Sequence, residues 1–562
     1  MGTANRGSGR IQKSPARKNE CGKLAKCSTA APSAALPLGH SPHGHLIKFS
    51  RRCIFLLHAV ADLVCCKSQL ASLSFSEGSH RDGERRLGGR EYKLSSISVP
   101  ARFPSRVISP TKKNAAKLTL WPLVAATFFM VSGGTYGTEE IIHGAGYGHG
   151  ILILLFLPLF WSLPTAFMIG ELSSALPQEG GYYAWVRRGL GNFWGFQEAW
   201  LSLVASIFDM AIYPTLFVFY LKQIAPWFGE GNHGVLAGLF VVVACAGLNL
   251  AGIRVVGITS LWLFFLLSLP FALVVAMTPF KLNAFSEPHT AAAGTSLGLL
   301  GGVLVAMWNY MGWDNASTIA REVERPQRTY PKAMIAAVVL VSMTYVLPFV
   351  AVYFTGVPAS TFGEDGSWAA IGGLIGGKFF GIEWLRFLIV LGGMMSAFGM
   401  FNALVMSYSR LPLAMARDGM LPQAFAQTNR RNAPWVAILV CAAGWALCLG
   451  LGFQRLITLD IMLYGASLML EFVTLVVLRI REPELKRVFR VPGGLPGAIL
   501  AGLFPLGLLF LALVKSGSET VLGMNGLVFG ALMIASGFAV YAATRRLRAT
   551  KHRVPMELVE PT

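Results

Sequence analysis

Charge is scarce in this chain: Asp, Glu, Lys and Arg make up 14% of the 562 residues, whereas 54% are hydrophobic. An ordinary soluble domain carries about 25% charged residues and needs only one apolar stripe per helix. Here apolar windows about 20 residues long recur, the length that crosses roughly 30 Å of hydrocarbon. A soluble fold is thereby excluded, and the lipid bilayer is the expected solvent. Acidic charge is scarcer still, with 28 Asp and Glu against 48 Lys and Arg, a formal balance of +20. Residues 1–110 hold 18 Lys and Arg against 6 Asp and Glu, so +12 of that balance belongs to the N-terminal fifth. No nucleic-acid-binding signature accompanies it, and a nucleic-acid partner is not expected.

The eight cysteines form neither a disulfide framework nor a zinc template: Cys21, Cys27, Cys53, Cys65 and Cys66 precede the apolar runs, and Cys245, Cys441 and Cys448 lie inside them. His40, His43 and His45 sit in a Pro- and Ser-rich tail of the kind that is usually disordered, so no metal is expected. The phosphate-cradling G-x-x-x-x-G-K pattern is missing, which argues against ATP-driven pumping. One G-x-S-x-G match, GTSLG at 294–298, opens an apolar helix rather than a strand-to-helix elbow, so neither an enzyme nor a cofactor is expected.

What is present is a series of twelve apolar runs: about 118–143, 150–176, 194–225, 234–251, 255–278, 297–320, 332–356, 382–414, 433–452, 456–480, 495–515 and 520–544. Alternate connections carry 16 Lys and Arg (Arg187, Arg188, Arg254, Arg321, Arg325, Arg328, Lys332, Arg410, Arg417, Arg430, Arg431, Arg479, Arg481, Lys486, Arg487, Arg490). The opposite ones carry six (Lys222, Lys281, Lys378, Arg386, Arg455, Lys515), and the positive-inside rule then puts both termini in the cytoplasm. Residues 1–112 read as a disordered basic extension, open between a transit leader and an upstream region outside the working protein. Residues 113–545 form the membrane domain, and 546–562 a cytoplasmic tail.

Two runs are interrupted. In VSGGTYGTEE (131–140), Gly133, Gly134 and Gly137 invite the backbone out of helical geometry just before Glu139 and Glu140; in MWNYMGWDNAS (307–317), Gly312 does the same before Asp314. Non-helical backbone at membrane depth is tolerated only where it lines a cavity or is packed by protein. Five helices separate the breaks, and the odd offset makes segments 1–5 and 6–10 inverted copies, about 118–278 and 297–480, with two further helices at 495–544. Paired Gly-interrupted spans are the best sequence pointer to a midplane transport site. The sequon at Asn315–Ser317 lies inside a span and is not expected to carry glycan.

An acid inside a span costs about 2.5–3.5 kcal/mol on translocon scales, which makes it a functional-site hypothesis. Glu139, Glu140 and Asp314 each have a plain alternative, capping the half-helix that restarts after the break. Asp209, mid-span beside Tyr213 and Pro214, has no such alternative. Three acids with no base at their depth call for a cation. Since one carboxylate cannot hold proton and ammonium together, symport requires separate acids. Glu139 and Asp314 are therefore expected to meet a cationic substrate and Asp209 to be the leading proton site, with Glu140, Glu198 and Glu471 as further proton-coupling candidates. Tyr136, Trp308, Tyr310 and Trp313 are open between cation–π contact and helix packing. Glu171 and the loop from Arg321 to Lys332 read as gate salt bridges or as topology anchors.

ELSSALPQEGGYYAWVRRGLGNFWGFQEAW (171–200) and REVERPQRTYPKA (321–333) closely resemble the amino acid, polyamine and organocation transporter superfamily. FDMAIYPTLFVFYLK (208–222), WNYMGWDNAS (308–317) and LEFVTLVVLRIREP (470–483) look most like its plant polyamine:proton symporter branch, related to the L-type amino acid transporters. The resemblance runs from about residue 115 to the C-terminus. It departs at Thr135-Tyr136, where the plant pattern has Pro-Phe, and at Asn315, where it has Lys. It implies an all-α, LeuT-like fold of twelve transmembrane helices, a 5+5 inverted repeat with helices 1 and 6 broken, and substrate held between the breaks. It also implies that Ser132, Gly133 and Gly134 occupy the place where amino acid members hold a substrate carboxylate with backbone N–H groups. The expected activity is import of polyamines by proton symport across the plasma membrane, with amino acid exchange as the alternative. A channel or a non-transporting nutrient receptor are rivals from other classes. The expected partners are a small-molecule substrate, H+ and lipid.

Overall fold

The computed structural model describes residues 117–285, 298–363, 368–449, 453–516, 520–521 and 524–551. The basic extension, its histidines and five cysteines, most of GTSLG and the end of the C-terminal tail lie outside the described residues.

Among the described residues the regular structure is helical, apart from isolated bridges and a short ribbon in which Thr520 and Val521 pair with Asn525 and Met524. Its α-helices are α1 (Leu120–Val131), α2 (Glu139–Phe160), α3 (Ser162–Ala175), α4 (Tyr182–Leu190), α5 (Asn192–Leu221), α6 (His233–Leu250), α7 (Ile253–Met277) and α8 (Gly298–Asn309). They continue with α9 (Pro326–Thr355), α10 (Trp368–Gly376), α11 (Trp384–Tyr408), α12 (Arg410–Arg417), α13 (Trp435–Ala446), α14 (Phe453–Arg481), α15 (Gly494–Ser516) and α16 (Gly526–Lys551). Among the described residues nine helical stretches are long and apolar enough to cross a membrane, and Leu120–Val131 and Trp435–Ala446 are shorter apolar helices.

Both expected interruptions are present. The first separates α1 from α2, with Gly134 and Gly137 at positive φ. The second follows α8, and there the chain resumes as a 3-10 segment, Trp313–Glu322, rather than as an α-helix. The first apolar run ends close to where its composition suggests: at Gly146 (φ 72°, ψ 170°) the backbone leaves helical geometry, so the stretch called α2 is two helices joined across a kink, the second belonging to the second run. Two short helices escaped the hydropathy reading, α4 and α10; each is too brief for a span but buries aromatic side chains, Tyr182, Tyr183 and Trp185 in one and Trp368 in the other.

α5 is central: 78% of its apolar window is buried, against 22% for α16. It packs along α14 and α11, α11 also packs on α7, α9 packs on α3, and α2 packs on α8. Large apolar side chains such as Phe240 on α6 and Trp262 on α7 are exposed at the periphery, as expected where hydrocarbon replaces water.

Candidate functional site

Breaking a helix frees backbone groups that lipid cannot satisfy, so each break needs partners. At the first, the Ser396 hydroxyl donates to the Gly133 carbonyl (2.5 Å), the Trp368 indole N–H to the Thr135 carbonyl (3.0 Å) and the Asn309 amide to the Gly137 carbonyl (3.2 Å). At the second, the Tyr345 hydroxyl donates to the Asn309 carbonyl (2.7 Å), and the indoles of Trp161 and Trp313 donate to the Tyr310 carbonyl (3.0 and 2.8 Å). The breaks touch. A Cβ on Gly312, which has φ 87°, would lie 2.4 Å from the Met130 carbonyl oxygen at the end of α1, so only glycine fits that contact.

A small cavity of about 10 Å³, room for about one water molecule, lies where α1, α5, α8, α11 and α14 meet. Its lining includes Met130, Asp209, Tyr213, Trp308, Gly312, Met400, Tyr408, Asp460 and Tyr464, and no Lys, Arg or His. Asp209 accepts hydrogen bonds from the hydroxyls of Tyr213 (2.6 Å) and Tyr408 (3.2 Å), with the Trp308 indole as a further donor. The Tyr464 hydroxyl accepts from the Gly312 N–H (3.1 Å) and donates to Asp314 (2.5 Å), which ties the second break to α14. Among the described residues no hydrogen bond to Asp460 is found, although its side chain is 3% exposed. Two carboxylates thus face the cavity, dressed by hydroxyls and an indole but by no cation. Such a site has a standing requirement for positive charge.

Of the residues expected from sequence, Asp209 and Trp308 line this cavity, and Asp314 reaches its edge through Tyr464. Glu139 does not line it. Its carboxylate receives the Tyr220 hydroxyl and the N–H of Gly137 in the break just before α2, among the rings of Tyr136 and Tyr220. Glu140 follows it on the first turn of α2. Tyr136 donates to the Ile389 carbonyl, and Tyr310 to the Leu154 carbonyl, so both hydroxyls, like the Trp313 indole, are engaged in packing. The Ser132 Oγ accepts the Gly134 N–H (3.0 Å), and neither these residues nor Gly133 lines the cavity. Glu198 and Glu471 are fully buried elsewhere on the seam between α5 and α14.

Asp460, Tyr408, Tyr464 and Tyr213 complete the site without having been expected as ligands. Asp460 carried a signal, being an acid inside an apolar run at helical spacing from Tyr464. The tyrosines carried none, because nothing local distinguishes them from packing residues.

At the opposite extreme is Glu171 at the end of α3. Both Arg479 and Arg487 reach its carboxylate, Arg487 at 3.1 Å, and the Val491 N–H donates to it at 2.7 Å. On the other basic connections, Arg417 and Arg321 pair with Glu179, Arg410 with Glu322 (2.7 Å), and Arg187 with Asp418.

Against known families, residues 124–538 match the model described as amino acid permease. Relatives include the polyamine transporter RMV1 of Arabidopsis thaliana, 35% identical over 72% of this chain and 81% of its own, and the polyamine transporter PUT1 of Oryza sativa subsp. japonica, 33% identical over 78% and 81%. The serine/threonine exchanger SteT of Bacillus subtilis (strain 168) is 25% identical over 65% and 84%. A match over most of the chain, together with relatives above 30% identity, means that this chain is an integral membrane transporter and not an enzyme, and belongs to the amino acid permease family of the amino acid, polyamine and organocation superfamily.

Proposed function

We propose that this protein imports linear polyamines by proton symport, through alternating access of the cavity at Asp209 and Asp460. The observation that carries this reading is the cavity's charge: two carboxylates, no basic residue, and an interior position between two broken helices. An α,ω-diamine matches it chemically. One ammonium can take Asp209 and another Asp460 or Asp314, while Trp308, Tyr213, Met130 and Met400 offer aromatic faces and apolar surface to the methylenes. The names of the plant relatives support the same substrate class.

In this reading the helices group into twelve spans, ten of them a 5+5 inverted repeat. A reciprocal contact supports that arrangement. The short helix α4 of the first unit touches the second break, where the Tyr182 N–H donates to Ser317 Oγ (3.2 Å). The short helix α10 of the second unit touches the first break, where Trp368 donates to Thr135. α11 spans both, through Ser396 to Gly133 and Ser407 to the Asn315 carbonyl (3.0 Å). Rocking one unit against the other would then open the cavity to one side at a time. In the same reading the basic loops, Glu171 with its arginines and both termini lie on the cytoplasmic side, which the positive-inside rule supports.

Purified protein in liposomes with an inward proton gradient should accumulate labelled putrescine or spermidine, saturably, and unlabelled amino acids in a competition panel should not block it. Asp209→Asn and Asp460→Asn should each lower uptake about 10–100-fold, the loss of one charged hydrogen-bonding partner. Competition by neutral amino acids instead of polyamines would move the function to amino acid exchange.

A further inference from the structure

Two acids remain that neither the cavity nor the ion pairs use. Glu198 on α5 and Glu471 on α14 are both 0% exposed. Glu198 and Ser202 are one turn apart on their helix, as are Ser467 and Glu471 on theirs, so the two pairs meet across the seam. Ser467 donates to Glu198 Oε1 at 2.5 Å, and the hydroxyls of Ser202 and Ser467 are 2.9 Å apart. The other Glu198 oxygen and both Glu471 oxygens have no hydrogen-bond partner. Each glutamate stands eleven residues along its helix from a cavity acid, Glu198 from Asp209 and Glu471 from Asp460, or about 16 Å at 1.5 Å per residue. Neither lines the cavity.

We propose that Glu198 and Glu471 form a proton-carrying pair, separate from the substrate cavity, through which the driving ion is taken up and released. This rests on the symport reading above. Three buried oxygens without donors cannot belong to two bare carboxylates, because isolated buried charge is among the most expensive states in a protein. Either a cation or a proton must be present. The titratable groups facing the pair are Tyr182 from α4, Asp314 from the 3-10 segment and Tyr464 from α14, and none is basic. Among the described residues no cluster of His, Cys, Asp or Glu suits a metal ion. A metal also needs several oxygens converging on one point, whereas a proton needs only one.

The surroundings supply a gate for that proton. Tyr182 faces both glutamates and, through its N–H, holds Ser317 of the 3-10 segment. Gly181, at positive φ, packs so closely on Ser317 that an added Cβ would meet its hydroxyl at 2.0 Å. In this proposal water reaches the pair when α4 separates from the 3-10 segment, a movement that would also open the substrate cavity on the same side. Proton release and substrate release are thereby tied to one contact, while two separate sets of acids hold the two ligands.

The test compares driven transport with exchange in the same liposomes, for wild type, Glu471→Gln and Glu198→Gln. Expected is a loss of at least about tenfold in proton-gradient-driven putrescine accumulation and in putrescine-evoked proton entry, with putrescine counterflow kept within about threefold. Unchanged gradient-driven accumulation in both variants overturns the proposal. So does loss of counterflow in variants that remain monodisperse and still show a putrescine-induced thermal shift, because the pair would then serve the substrate path. A variant that does not fold is replaced by Glu471→Asp, which keeps the acid and should retain driven uptake; failure of driven uptake there, with counterflow intact, also counts against a simple proton carrier. Absence of proton-driven accumulation in the wild type itself sinks the symport reading, a result distinct from all of these.

Discussion

Glu171 and Asp209 are buried to nearly the same degree, 0% and 6% exposed, yet their surroundings are opposite. Glu171 is held by two guanidinium groups and a backbone N–H at the basic end of the molecule. Asp209 is held by two phenols and an indole at a cavity. The first acid has its countercharge built in and so has no use for a ligand. The second has donors enough to be tolerated but no countercharge, and in the proposed reading its electrostatic demand is left for a substrate. Burial alone therefore does not identify a functional acid in a membrane transporter; the chemistry of its partners does.

The largest test of this contrast is Glu171→Gln. It leaves Arg479 and Arg487 buried without their anion, and breaking a buried pair in this way costs about 3–5 kcal/mol. The thermal melting of the purified variant should fall sharply, whereas Asp209→Asn, which removes an uncompensated acid, should melt at or above the wild-type temperature. Equal destabilisation by both would abolish the distinction. An intermediate effect is expected from Tyr464→Phe. It deletes the hydroxyl between the Gly312 N–H and Asp314, and leaving such groups unpaired costs about 1–3 kcal/mol. Substrate KM in the uptake assay should rise about tenfold with protein yield preserved; a fall in yield with unchanged KM would make the bridge structural.

The smallest effect belongs to the half-exposed pair Arg188–Glu482, whose side chains approach to 2.7 Å. The hydrogen bonds from Arg188 hold the Glu482 carboxyl below the usual carboxylate range. A carboxyl lowered on folding adds stability that is complete above its unfolded value near 4.3 and disappears as pH falls through the folded value. Solvent screening limits it to under about 1 kcal/mol. Arg188→Gln should shift the melting temperature slightly at pH 7 and leave it unchanged near pH 3; an effect as large as that of Glu171→Gln would show that exposure does not set the strength of these pairs.

The two breaks were legible because each combines signals that a bilayer penalises, glycine and acid in an apolar run. Asp209 was legible for the same reason. What Glu139 does was not legible, since a cap and a ligand have the same local sequence; the structure gives it the Tyr220 hydroxyl from α5 and a place outside the cavity lining. The 3-10 form of Trp313–Glu322 was not legible either. It is packed against α4 and α11 through Ser317 and Asn315, contacts from distant parts of the chain.

By itself, then, the sequence determined the solvent, the succession of apolar helices, the two interrupted spans and the family, because hydrophobic length and backbone tolerance are local properties. Only the tertiary structure decided which acids share a cavity and which meet arginine, and that Glu198 faces Glu471. Those outcomes depend on the packing of α5 against α14 and α11, where residues hundreds of positions apart become partners. No local pattern encodes such a meeting, and it is the meeting that sets whether a buried carboxylate anchors the fold or waits for a cation.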